Sequence, residues 1–244
     1  MGEATGAVRS MTPRIDDPFR DAGGVEKAAN RFPNQDFPMT RTVASAAIAL
    51  FVASASIAAA PAGPANLDPK AVTAGSYTVE PNHTRVQFSV AHMGFTDWYG
   101  DFTSVAGTLQ IDPAHVDASK LDITIPVASV STTNAKLDGE LKSDQWMGAD
   151  QFPTIRFVST KIVRTGPSKA AITGELTFHG VTKPVTLVAS FNGAGVNPLD
   201  KAYTAGFNAT TTIKRSDYGV KTYVPLIGDE TTIRISAAFV RKAS

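Results

Sequence analysis

From Tyr77 onward the chain alternates apolar and polar residues with a period of two. Val86, Phe88 and Val90 stand between Arg85, Gln87 and Ser89. The same rule runs through Val105, Gly107, Leu109 and Ile111, and through Leu121, Ile123, Ile125 and Val127. It continues at Ile155 and Phe157, at Ile172, Leu176 and Phe178, and at Val185, Leu187, Ala189 and Phe191. Phe207, Ala209, Thr211 and Ile213 follow, and Ile233, Ile235, Ala237 and Phe239 close the series. Alternation over such lengths predicts half-buried antiparallel strands with the apolar face inward. Turn chemistry separates the runs: Asp112-Pro113, Gly166-Pro167, His179-Gly180, Asn192-Gly193, Asn197-Pro198 and Gly228-Asp229. One stretch breaks the period. Ala135 to Met147 puts Leu137, Leu141 and Trp146 at helical spacing, and Pro153 ends it.

The expected class is therefore all-β, about eight strands with one short inserted helix. Long strands with one apolar face need that face covered, and a closed sheet covers it while removing exposed edges. An eight-stranded barrel is wide enough either to be filled by its own side chains or to hold one slim ligand. A two-sheet sandwich is the competing architecture. Periodicity does not separate the two.

Upstream of Tyr77 the pattern changes. Residues 1–38 scatter Pro, Gly and Asp with no apolar period, so they read as disordered or as an untranslated extension ahead of an initiator at Met39. Met39-Thr40-Arg41-Thr42 then precedes an Ala/Ser/Val/Ile/Leu run from Val43 to Ala60. A positive start, an apolar stretch of about 15 residues and a small-residue end are the parts of a signal peptide, here residues 39–60. A membrane anchor is the rival, but a spanning helix needs about 20 strongly apolar residues. Gly63, Pro64 and Pro69 mark residues 61–75 as a linker, leaving residues 76–244 as a single domain.

Composition narrows the chemistry. The 244 residues are 43% hydrophobic and 18% charged, with a formal net charge of +1. Residues 1–65 carry six basic and six acidic side chains, so the remainder is as near neutral as the whole. That balance excludes an electrostatic nucleic-acid binder. The absence of cysteine excludes disulfides, thiolate catalysis and Cys-ligated metals.

The four histidines, His83, His92, His115 and His179, form no local metal-ligand pair. His179 precedes Gly180 at a hairpin corner, where an imidazole serves structure by bonding a turn carbonyl. His92 ends an inward-alternating strand and is the histidine placed to meet a ligand head group. Neither a G-x-S-x-G motif nor a carboxylate pair in a catalytic context is present. Asp138 and Glu140, two apart on the expected helix, do not share a face. Arg215 and Asp217, before Gly219, read as a turn pair, with a head-group contact as the alternative for Arg215. The inward aromatics Phe88, Phe102, Trp146, Phe157, Phe178, Phe191 and Phe207 either fill the barrel or line a ligand.

Several strings together resemble the YceI-like family. They are Val86-Gln87-Phe88-Ser89-Val90-Ala91-His92-Met93, Gly100-Asp101-Phe102, and Leu141-Lys142-Ser143 with Pro153-Thr154-Ile155-Arg156-Phe157. Gly174-Glu175-Leu176-Thr177-Phe178-His179-Gly180-Val181-Thr182-Lys183-Pro184-Val185 is the most specific, and Arg215-Ser216-Asp217-Tyr218-Gly219 and Gly228-Asp229-Glu230 complete the order. Glu140 departs from the His common in that family, and Gln145-Trp146-Met147 replaces an aromatic pair. The resemblance implies an extended antiparallel, lipocalin-like eight-stranded β-barrel in the periplasm. It also implies non-catalytic binding, sequestration or transport of a polyisoprenoid or similar long-chain lipid. No metal or cofactor is implied beyond an isoprenoid or quinone-like ligand, and a homodimer is the implied assembly. Lining then replaces filling as the expectation for the inner face. The expected ligand-binding residues are Phe88, Val90, His92, Phe102, Ile123, Ile125, Trp146, Phe157, Leu176, Phe178, Phe207 and Arg215, with the polar head at the barrel mouth. The alternatives are a lipid-acting enzyme on the same barrel and a structural or partner-binding envelope protein with a filled barrel.

Overall fold

Each alternating run pairs with its neighbours as a strand, and the last strand returns to the first. The computed structural model describes residues 63–242. The strands are β1 (Gly75–His92), β2 (Thr96–Phe102), β3 (Ala106–Ile111), β4 (Lys120–Pro126), β5 (Val130–Ser131), β6 (Thr154–Gly166), β7 (Lys169–Phe178), β8 (Val181–Val196), β9 (Tyr203–Lys214) and β10 (Ile227–Arg241), with one helix, α1 (Ala135–Lys142). The pairing circuit β1-β3-β4-β6-β7-β8-β9-β10 is antiparallel throughout and closes through β10 and β1. Closure decides between barrel and sandwich: eight strands form one continuous wall. β2 lies outside that circuit, paired to the second half of β1 from Val86↔Phe102 to His92↔Thr96, and the two-residue β5 extends it. The expected signal peptide at 39–60 and the segment 1–38 lie outside the described residues.

Two bulges switch which alternate residues face inward. In β1 the register with β10 shifts between Glu80 and Arg85, so Val79 points inward before the shift and Thr84, Val86, Phe88 and Val90 after it. In β6 the shift between Ser159 and Lys161 moves the inner set from Ile155 and Phe157 to Ile162 and Arg164. An extra residue on one strand reverses the side-chain parity beyond it.

The inserted helix is shorter than the expected Ala135–Met147. Asn134 caps it by accepting from the Lys136 and Leu137 N–H groups, and Ser143 ends it. The Met147 N–H then reaches back to the Leu141 carbonyl at 3.0 Å, so Trp146 sits in a turn rather than on the helix. Leu141, Trp146 and Met147 still enter the main core cluster together, now from one end of the barrel.

At the other end the expected linker is structured. Asn66 exchanges two backbone hydrogen bonds with Ala194, at 2.8 and 2.9 Å. Asp68 caps a short turn at Pro69–Ala71, and Val72 is buried with Tyr77, Leu109, Ala205 and Phe239. The Tyr77 hydroxyl donates to the Thr73 carbonyl at 2.5 Å. Burial, reinforced by Tyr203 and opposed by Arg241, pushes that phenol up to about 12. Backbone pairing at Asn66 and the buried Val72 hold part of the 61–75 segment, whose composition reads as a linker, against the barrel.

The β7–β8 hairpin turns on two residues, His179 at φ 48° and Gly180 at φ 73°, between the paired Phe178 and Val181. Positive φ at both central positions is the type I′ geometry that follows strand twist. A Cβ at Gly180 would sit 2.5 Å from the Phe152 ring. Gly180→Ala should therefore lower stability by about 1–2 kcal/mol for the left-handed backbone alone, read as a fall in the urea midpoint.

Candidate functional site

The barrel interior is hollow because of what its inner face carries at one level. Ala170, Ala189 and Ala209 stand in register on β7, β8 and β9. All three line the space, and three methyl groups on adjacent strands leave the lumen open. At other levels of the wall, two large rings lie against glycines. A Cβ at Gly100 would meet the Phe88 ring at 2.3 Å, and one at Gly174 would meet the Phe157 ring at 2.5 Å. The result is an apolar cavity of about 330 Å³, within the range of small-molecule sites. The three atoms nearest a Cβ at Gly100 all belong to the Phe88 ring, whereas the Val158 carbonyl also blocks Gly174. Gly100→Val should therefore drive the Phe88 ring into the lumen, keep the fold, and weaken binding of a long-chain fatty acid by about tenfold, or 1.4 kcal/mol, in a calorimetric titration.

The cavity gathers eleven of the twelve expected site residues. Phe88 and Val90 reach it from β1, Phe102 from β2, Ile123 and Ile125 from β4, and Phe157 from β6. Leu176 and Phe178 come from β7 and Phe207 from β9, while Trp146 and Arg215 stand at one end. His92 is the exception. It is the last residue of β1 and lies off the cavity wall, its ring 6.0 Å from that of Trp98. β1 is still paired there with both β10, at Ile227, and β2, at Thr96, but its register with β10 shifts between Val90 and His92, so the inward parity of Val90 does not carry on to His92.

The two ends of the cavity differ. Arg164, Pro167 and Lys169, around the β6–β7 turn, are exposed and line its outer end. At the inner end Arg215 is 6% exposed. Its Nε donates to the Gly228 carbonyl at 2.8 Å, Nη1 to Val220 at 3.1 Å and Nη2 to Ile227 at 2.8 Å. The guanidinium carbon lies 5.3 Å from the Trp146 ring centroid. Burial lowers the Arg215 pKa and the Asp229 charge opposes it, yet a guanidinium stays protonated. Burial alone would raise the Asp229 carboxyl. The Ser216 N–H and hydroxyl that donate to it, with Arg215 and Lys214 nearby, hold it below its ordinary value.

Arg215 therefore differs from its expected roles on two counts. Its charge faces main-chain carbonyls rather than Asp217, which pairs instead with Lys183 at 3.5 Å. It also sits at the buried end, not at the mouth, because the turn after β9 folds inward over the barrel.

The other histidines stand apart from the cavity. His83 lies at the β1 bulge with Nδ1 2.6 Å from Glu80, and His115 lies 3.2 Å from Asp112. His179 Nδ1 is 3.0 Å from the Tyr218 carbonyl, which makes it the donor there, and its ring packs on Phe152 at 4.5 Å. Among the described residues no group of three acidic or histidine side chains converges as metal ligands would, and no helix is long and apolar enough to cross a membrane. Sequence reasoning missed Ala170, Ala189 and Ala209, although Ala189 and Ala209 belong to alternating runs. Their significance depends on cross-strand register, which one strand's sequence does not contain.

Comparison with known proteins locates the same domain. The YceI-like domain family matches residues 77–239. A UPF0312 protein of Pseudomonas savastanoi pv. phaseolicola is 38% identical over 168 residues, covering 68% of this chain and 87% of that protein. The crystal structure of Burkholderia cenocepacia BcnA superposes with a TM-score of 0.60 at 25% identity, covering 66% of this chain and 98% of BcnA. A polyisoprenoid binding domain from Saccharophagus degradans, implicated in plant cell wall breakdown, shares the fold with a TM-score of 0.55 at 11% identity over 70% of this chain and all of that domain.

Proposed function

This chain belongs to the YceI-like domain family, and on that premise we propose that it is a non-catalytic carrier that binds a polyisoprenoid or similar long-chain lipid inside its barrel. It does so as a periplasmic protein exported by the 39–60 signal peptide, and as a homodimer. The single observation that carries the reading is the apolar cavity of about 330 Å³. A filled barrel would have no such space, so the structural-protein alternative loses its premise. The fold shared with a domain described as polyisoprenoid binding supports the choice of ligand class.

Simple transfer energetics suffice. Each methylene moved from water to an apolar wall gains about 0.8 kcal/mol, so ten buried methylenes offer a gross of about 8 kcal/mol. Ordering the chain and losing its free motion cancel part of that gain. Affinity therefore scales with the length of tail inside, while polar contacts set selectivity. Organic extraction and lipid mass spectrometry of protein purified from its own host should return a prenyl or other long-chain lipid in stoichiometric amount. Protein free of lipid after gentle purification, and unable to take up a long-chain lipid from vesicles, would overturn the reading.

A further inference from the structure

At its inner end the otherwise apolar cavity carries two buried donor side chains, Arg215 and Trp146. Arg215 gives three of its five N–H groups to the Gly228, Val220 and Ile227 carbonyls. One N–H remains on each terminal nitrogen. Among the described residues no carboxylate comes within 4 Å of this buried cation, and both oxygens of nearby Asp229 are engaged by Ser216. Beside it, Trp146 lines the cavity, is 9% exposed, and its buried indole N–H has no acceptor. A buried donor left unpaired bears its full desolvation cost, and native proteins rarely leave one so. The Gly228, Val220 and Ile227 carbonyls at this corner accept from Arg215 and not from the indole.

We infer that lipids enter this barrel polar end first, and that the polar end is an oxygen acceptor lacking a donor of its own, a carboxylate or carbonyl that accepts from Trp146 Nε1 and Arg215. The tail then runs back past Ala189 and Ala209 toward the exposed end at Arg164 and Lys169. A head group left at that outer end would stay in water and leave the indole N–H unpaired. A hydroxyl or amide head fits less well, because its own donor would have to share carbonyls that already accept from Arg215. This orientation rests on the lipid-carrier reading above and assigns what that reading leaves open: which end goes in, and what it carries.

The chain has two tryptophans, so Trp98→Phe leaves Trp146 as the sole tryptophan, excited selectively at the red edge where tyrosine does not absorb. The probes are two stearic acids, one with a nitroxide close to its carboxyl end and one with it close to its methyl end. Polar-end-first entry predicts that the carboxyl-end label quenches Trp146 severalfold more strongly at equal occupancy. Stronger quenching by the methyl-end label, or equal quenching by both, overturns the inference and leaves the carrier reading intact. Binding of neither probe, seen as no quenching and no calorimetric heat, overturns both. In the otherwise wild-type chain, Trp146→Phe keeps a ring and removes the N–H. It should weaken stearate binding by about tenfold more than it weakens binding of octadecane delivered from cyclodextrin. An equal loss for the two ligands, or an unchanged stearate affinity, overturns the indole contact.

Discussion

Replacing Ala209 by Trp is expected to abolish lipid binding while the barrel stays folded. Ala209 pairs with Ala189 on one side and Ile235 on the other, at the level where three neighbouring strands carry only methyl groups. An indole placed there fills the lumen across the path a tail must take. Overpacking a close-packed core costs about 1–3 kcal/mol. Here the added ring enters space that is already vacant, so the urea midpoint should shift little. Affinity for a long-chain fatty acid should fall at least about 100-fold, or 2.8 kcal/mol. Val188→Trp is the matched control. Val188 is the next residue along β8 from Ala189, on the outer face and 57% exposed, so a ring there should leave binding unchanged. Equal loss in both variants would mean that the effect is not one of blocking the lumen.

Arg215→Ala should produce the largest loss of stability of any single truncation in the cavity wall. The side chain holds the carbonyls of Val220, Ile227 and Gly228, and so ties the turn after β9 to the start of β10. Removing it leaves three acceptors in a water-poor corner at about 1–3 kcal/mol each. A loss of about 3–9 kcal/mol is a large part of the 5–15 kcal/mol that holds a typical domain folded. Arg215→Lys keeps the charge but replaces the planar fork with one ammonium, so it should fall between the wild type and Ala. Urea unfolding of the three proteins is the check. An Ala variant within about 0.5 kcal/mol of wild type, the scale of an ordinary surface change, would show that the corner is wetter or looser than described.

The strands of the closed circuit were legible because each run of alternating residues packs one face on a common interior and leaves the other in water. β2 was not legible by period. Thr96-Asp97-Trp98-Tyr99-Gly100-Asp101 does not alternate, since this strand pairs outside the circuit, and only the resemblance of Gly100-Asp101-Phe102 to a family motif pointed to it. The bulges at Glu80–Arg85 and Ser159–Lys161 were hidden for a related reason. Each reverses parity partway along a strand, so Ile162 and Arg164 on the inner face look out of phase with Phe157. Residues 66–72 looked like a linker because they are held by backbone pairing to Ala194, which composition does not report.

The candidate site was readable in outline and not in depth. Inward aromatics such as Phe88, Phe157 and Phe207 are visible from alternation alone. Whether they fill the interior or surround a space depends on Gly100, Gly174 and the three alanines, which meet only once the register is known. Arg215 was found as polar chemistry near the end of a strand. Its burial depends on carbonyls five to thirteen residues downstream that fold back over it.

The most direct test of a dry, hydrocarbon-holding interior is a high-resolution crystal structure of the protein purified from its own host without detergent exchange. The account predicts continuous, unbranching or regularly methyl-branched density running from the Ala189–Ala209 level to the Trp146 indole, with no ordered water along it. An interior holding a chain of hydrogen-bonded waters, or closed by rings swung across the lumen, would contradict it.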